Sequence, residues 1–339
     1  MQIRLVVVLA LALPIGCTQP RSSPYAAVTD SVVAQFAHSP LVGFAEHHRS
    51  RQDHAFLLAL INHPEFANRV NDIVVEFGSA HYQYLADRYV RGDDVPRVEL
   101  QELWRGTGQW LVWDSPVYEG FFTAVRRRNA SLPPEKRLRV LLGDPAISWP
   151  NVRSVADARR FAERDADYAG VVEREVLAKG RRALLIIGGA HLPRQSASDL
   201  PQRSPGVGQI LEQRHPGALF VLWTLAPGQD TTRQFVRLQG SPRASESFGK
   251  LLPAGISVRR VVGGDTTWVP ISDFRWPPAA QVVDAFLYLG ADSTTVDPDP
   301  AIYRDPVYQT ELRRRAVILR ELYGMDFLAG LEALLPTRP

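Results

Sequence analysis

Glu46, His47 and His48 follow one another at the end of an apolar run, Ser-Pro-Leu-Val-Gly-Phe-Ala, that begins at Ser39. Carboxylates and imidazoles can move protons, and they can also ligate metals. The arrangement recurs further along the chain. The run from Ile73 to Val75 leads into Glu76, Val140 to Gly143 leads into Asp144, and Leu184 to Ala190 leads into His191. Five of the eight histidines (His47, His48, His54, His63 and His81) also fall between positions 47 and 81. Groups of this kind, placed at the ends of several apolar segments, are costly to bury without partners.

Short apolar runs that stop at a charge read as buried parallel strands, and open α/β sheets collect ligands at the carboxyl ends of such strands. If the four runs are parallel strands of one sheet, Glu46, His48, Glu76, Asp144 and His191 meet at one edge. Side chains alternate along a strand, so one of His47 and His48 is expected to face the cleft, and His48 is favoured. The plainer alternatives are that Glu76 caps the next helix and that Asp144, before Pro145, is a turn residue. Arg164 and Asp165 read either as an exposed ion pair or as an arginine offered to a substrate oxyanion.

The elements that would position these groups form an α/β pattern. Ser50 and Asp53 have capping-box spacing, and Phe56, Leu57, Leu60 and Ile61 then supply a helical apolar face, with His54 in its first turn. A strand from Asp72 to Phe77 follows, then a mostly helical insertion over residues 79–128 that is rich in aromatics and includes a helix start at Ser115-Pro116. The aromatics read as core or as packing over the sheet, with an aromatic-lined pocket as the alternative. Further strands are expected over 137–142, 181–187, 219–225, 258–262 and 284–289. One long helix is expected over 154–179, closed by Gly180, and a C-terminal helix from Asp305-Pro306 to Tyr323 with Arg313, Arg314 and Arg315 on a solvated face.

The chain has 339 residues, 45% of them hydrophobic, which suffices for a sizeable core, and its net charge of +3 gives no global field for nucleic acid. Residues 1–17 read as an export signal: Arg4 precedes an apolar segment from Leu5 to Gly16 that is too short to span a bilayer. Cys17, the single cysteine, excludes an intramolecular disulfide framework and a cysteine-rich metal site. Its setting resembles the bacterial lipoprotein box, although Pro14 stands where that box usually has leucine, and acylation there would hold the protein to a membrane. Residues 18–30 then read as a tether and 31–335 as a single α/β domain. The sequence contains no Walker loop, no dinucleotide fingerprint after a strand, no His-Glu-x-x-His and no Gly-x-Ser-x-Gly elbow, which disfavours nucleotide binding and serine hydrolase chemistry.

Ala45-Glu46-His47-His48, the strand-ending Glu76 and Gly188-Gly189-Ala190-His191 together resemble the superfamily of erythromycin esterases, the haem-binding lipoprotein ChaN and the Tiki-type metalloproteases. Gly143-Asp144 resembles the Gly-x-Asp-like turn of its esterase branch, and Arg164-Asp165 resembles that branch's Arg-Asp helix start. The motifs cover roughly residues 40–195, with Ala45 where the family's first motif has glycine. The resemblance implies a mainly parallel sheet flanked by helices, with a helical insertion after the second strand. It further implies a hydrolase acting on a small-molecule or peptide substrate, in which Glu46 or His48 activates water, His191, Glu76 and Arg164 hold the ligand or stabilise the developing charge, and Asp144 completes the catalytic set. A divalent metal on Glu46, His48, Glu76 and His191 would assist. The alternative it implies is a haem-binding lipoprotein for iron uptake. A scaffold without activity is a third reading.

Overall fold

Six largely apolar segments of the chain become strands that are buried along almost their whole length. The computed structural model describes residues 23–201, 204–225, 233–252, 257–262, 265–292 and 294–334. Strands β1 (Leu41–Glu46), β2 (Asp72–Ser79), β3 (Arg139–Asp144), β4 (Ala183–Gly188), β5 (Leu219–Thr224), β6 (Gln234–Arg237) and β9 (Ala285–Tyr288) form one sheet in the order β3-β2-β4-β1-β5-β9-β6. All its pairings are parallel except β6 against β9 at the edge. A separate hairpin pairs β7 (Ser257–Val262) with β8 (Asp265–Pro270). The fold is therefore α/β with a mainly parallel sheet, and helices between β2 and β3 form the expected insertion.

Alternation along the strands divides the interior in two. Val42 and Phe44 of β1, Ile73 and Val75 of β2, and Leu184 and Ile186 of β4 pack beneath the helices Ala26–Gln35, Arg51–Ile61, Gln83–Arg91 and Pro116–Ala130. Leu41, Ala45, Val74, Leu185 and Ile187 face the helices Arg164–Glu175 and Val207–Arg214 instead. Phe77 sits at the centre of the first core, with ring centroids of Tyr118 at 4.7 Å, Phe121 at 5.3 Å and Phe122 at 5.8 Å. The aromatics of the insertion are thus largely core, and Trp113 and Tyr118 also approach the strand ends.

Several boundaries differ from expectation. Residues 1–22, with the expected signal and Cys17, lie outside the described residues, and a helix already begins at Ala26, within the stretch read as a tether. The helix expected over 154–179 is two: Val155–Arg159, opened by a Ser154/Asp157 capping box, and Arg164–Glu175 after a break. That break makes Arg164 the first residue of the second helix rather than a mid-helix surface position. The arginines of the C-terminal helix Pro306–Tyr323 are not all solvated. Arg314 donates to the carbonyls of Trp149 and Val152, and Arg315 is buried, because this helix packs on Val155–Arg159 through Ile318 and Leu319. No helix among the described residues is long and apolar enough to cross a membrane.

Phe77→Ala should destabilise the chain by about 3–5 kcal/mol, the usual cost of emptying a buried aromatic site, as measured by urea denaturation.

Candidate functional site

The polar groups sit where the two cores end. Glu46 lies on the face of Val42 and Phe44, and Glu76 on the face of Val74, so the two carboxylates reach the sheet edge from opposite layers. Between Val75 and Ser79 the register of β2 against β3 shifts. Such an irregularity re-aims side chains, and this one contains Glu76.

Glu46 is buried, and each of its oxygens meets one imidazole: Oε1 lies 2.9 Å from Nε2 of His54, and Oε2 lies 3.2 Å from Nδ1 of His48. His54 is placed by the helix Arg51–Ile61, whose first turn is fixed by Ser50 accepting from the amide of Asp53. The Tyr118 hydroxyl accepts from the amide of Arg49 at 3.0 Å, and burial, then the charge of Glu46, opposes its ionisation. Burial alone would raise the pKa of Glu46, but the hydrogen bonds and charges of His48 and His54 bring it down to about 2. Burial likewise works against protonating His48. Its bond to Glu46 and the charge of Glu76 outweigh this and hold it above the ordinary histidine value. With Nδ1 committed to Glu46, Nε2 of His48 is the nitrogen left for chemistry.

Gly188 lets that nitrogen come close. A Cβ there would stand 3.0 Å from Nε2 of His48 and 3.4 Å from Oε2 of Glu76, so both groups crowd the space a side chain would fill. The Gly188 amide donates to Oε2 of Glu76 at 2.8 Å. Oε1 of Glu76 accepts from Nη2 of Arg164 at 3.1 Å and lies 3.7 Å from Nε2 of His191. Nε of Arg164 donates to Oδ1 of Asp144 at 2.6 Å, and the other Asp144 oxygen accepts from the Gly108 amide at 2.8 Å. His191 turns Nδ1 to Asp165 at 2.7 Å. Burial tends to raise Glu76, but Arg164, His191 and His48 hold it below the ordinary carboxylate range. His191 is raised because Asp165 and Glu76 outweigh its burial, and Arg164 stays a cation because Asp144 and Glu76 outweigh its own.

Glu46, His48, Glu76, Asp144, Arg164 and His191 are therefore brought into one contiguous network. Arg164 is an inward-facing cation, not an exposed pair. The expectation that His47 points away from the cleft is corrected: β1 ends at Glu46, Arg49 takes a left-handed φ of 65°, and strand alternation no longer governs the two histidines. His48 joins the carboxylate network, while His47 lines a cleft of about 530 Å³. His63 and His81 belong to neither, as His63 pairs with Asp30 and His81 packs on Tyr82. Asp53, Thr224, Trp113 and Tyr118 are site neighbours that the sequence reading did not select. For Asp53, spacing identified only its cap role.

The donor set does not suit the expected divalent metal. Among the described residues no group of three or more His, Cys, Asp or Glu side chains is arranged to hold one. The physical reason is visible in the bonds: both oxygens of Glu46 accept from imidazoles, both of Glu76 accept from an amide or a guanidinium, and Arg164 puts a fixed positive charge in their midst.

No family model matches the chain, and no curated protein matches it. Among solved structures it is similar to an erythromycin esterase mutant, EreC, in its open conformation, at 12% identity and a TM-score of 0.48, over 79% of this chain and 95% of that one. It is similar to a Bacillus cereus protein solved by structural genomics at 11% identity and a TM-score of 0.48, over 79% of this chain and 99% of that one. It is also similar to ChaN of Campylobacter jejuni, solved with cofacially bound haem, at 12% identity and a TM-score of 0.39, over 59% of this chain and 87% of that one.

Glu46 titrates near 2 in the folded chain against an ordinary 4.5, so between those values the unfolded chain binds more protons and stability rises with pH. This contribution is complete above the ordinary value and is lost as pH falls toward the folded one. At about 1.4 kcal/mol per unit it is on the order of 3 kcal/mol. Glu46→Gln should therefore lose less stability than the parent on acidification through that window, as read by urea midpoints at successive pH values.

Proposed function

We propose that the chain is a hydrolase that adds water to a carbonyl carbon, with His48 as the general base. The observation that carries this reading is the Glu46–His48 pair. Glu46 fixes the tautomer and the ring plane, so Nε2 of His48, whose ring packs over Gly188, is left as the proton acceptor. Glu46 itself is a positioning residue: it is buried, strongly acidic, and has both oxygens in use. His191, protonated and held by Asp165, and the Arg164 cation supply positive charge beside the reacting centre, where an oxyanion would develop. Asp144 and Glu76 hold Arg164 in place. Water gives its proton to His48 as its oxygen bonds to the carbonyl carbon. Collapse of the resulting tetrahedral species expels the leaving group. No step requires a metal.

The motif resemblance supports this class of reaction, and the alternative it carries is haem binding. The observation that favours haem is the apolar cleft beside the network, whose wall presents His47 and His191. In that reading one of them would ligate the iron of the group. We further propose that the chain is exported and acylated at Cys17. Radiolabelled palmitate should enter the full chain expressed in a bacterium, and should not enter Cys17→Ser.

The full chain should cleave members of an ester panel, with His48→Ala reducing kcat by at least about 100-fold in a chain that stays folded by circular dichroism, its thermal midpoint lowered by the loss of one Glu46 partner. Because Glu46 and Glu76 raise the pKa of His48, the base is neutral only above that raised value. Activity should therefore rise as His48 loses its proton above the ordinary histidine range and fall again as His191, also raised, loses the proton the mechanism needs, giving a bell-shaped profile. A saturable Soret shift on adding haemin, with no esterase or amidase activity, would replace this reading with the haem one.

A further inference from the structure

His47 is not accounted for by that reading. It sits on the far side of the β1 terminus from His48, between the ends of β1 and β5, and its ring is about 37% exposed to the cleft. Its backbone amide and its Nδ1 both turn to Oδ2 of Asp53, at 2.8 and 3.2 Å, and Nδ1 also lies 3.3 Å from the Thr224 hydroxyl. Thr224 in turn donates to the carbonyl of Ala45. Ser50 donates to the other Asp53 oxygen at 3.0 Å, so the carboxylate cannot swing away. The effect is a second histidine–carboxylate pair, again with Nδ1 held and Nε2 presented to open space.

The cleft that Nε2 faces is mostly apolar. Trp223, Phe248 and Trp276 form a contiguous aromatic wall, with Trp223 to Phe248 at 4.9 Å and Phe248 to Trp276 at 5.4 Å, and Leu200, Leu252 and Ile271 complete it. Its polar end is formed by His47, His191 and Asp165. His191 and Asp165 belong both to this cleft and to the network around Glu76 and Arg164, so the cleft and the network meet at these two residues.

We propose that the cleft seats the apolar alcohol portion of an ester substrate and that His47, positioned by Asp53, is the catalytic acid that protonates the departing alkoxide. This rests on the hydrolase reading above. The two histidines then divide the work. His48 takes a proton from water as the oxygen–carbon bond forms. When the carbon–oxygen bond to the alcohol breaks, that oxygen keeps the bonding pair and takes the proton from Nε2 of His47. The products are a carboxylic acid and an alcohol, and solvent carries the proton from His48 back to His47. The charged and titratable groups around His47 are Asp53 from the helix Arg51–Ile61, Glu46 and His48 from its own segment, and His191 and Asp165 across the cleft. Asp53 and Glu46 favour its protonated form against burial and His48, which suits an acid.

The test compares esters of one acyl group in the full chain: para-nitrophenyl, cyclohexylmethyl and methyl butyrate. Para-nitrophenolate leaves without protonation, whereas an alkoxide does not. His47→Gln should cost the cyclohexylmethyl ester about 100-fold in kcat and the para-nitrophenyl ester less than about threefold, as a general acid requires. Asp53→Asn should show the same contrast in weaker form and lower the His47 pKa measured by NMR. Methyl butyrate should be cleaved with a much lower kcat/KM than the cyclohexylmethyl ester. Equal losses on both leaving groups, or none, would overturn the acid role, and equal kcat/KM for the two alkyl esters would overturn the apolar seat. A parent protein that cleaves none of the three overturns the hydrolase reading itself, and this proposal with it.

Discussion

A single buried carboxylate, held between two imidazoles, organises the working end of this molecule. An ionised Glu46 in the interior would be prohibitive alone, and it is tolerated because His48 and His54 each give it a hydrogen bond. The consequences propagate outward. Glu46 joins the end of β1 to the first turn of the helix Arg51–Ile61. That turn carries Asp53, and Asp53 holds His47. One short segment thereby sets two imidazoles on opposite sides of a strand end, each with a defined nitrogen free.

The second layer of the site depends on a different constraint. Glu76 leaves the sheet on the opposite face from Glu46, in a stretch where β2 slips against β3, and Gly188 between them has no side chain. These features let groups from two separate cores share one space. Arg164 completes it by bridging Glu76 and Asp144, which is possible because its helix starts afresh there. The resulting network is internally hydrogen-bonded. Its polar groups are therefore held in place before any ligand arrives, and it offers no vacant carboxylate pair to a cation.

The cleft beside this network has a different character. Its aromatic wall comes from β5 and from the segments around Phe248 and Trp276, whose sequence shows little periodicity. Its size and apolar surface set what can approach the imidazoles, while the network sets what can happen there. The cleft and the polar network thus come from different parts of the chain and meet at His191.

The parallel strands were legible in the sequence because each is an uninterrupted apolar run, and the site residues because each such run ends in a charge. Glu46, Glu76, Asp144 and His191 could be listed together on that ground alone. The sequence could not decide between His47 and His48, since alternation applies only while the strand continues, and the chain turns at Arg49. Nor could it show that Arg164 faces inward, because its helix breaks where the pattern runs on, or that the carboxylates are already satisfied by hydrogen bonds. Local pattern records which groups the chain delivers to an edge. Which nitrogen stays free, and which oxygen is already taken, is decided by contacts between residues far apart in sequence, and those exist only once the two cores have packed.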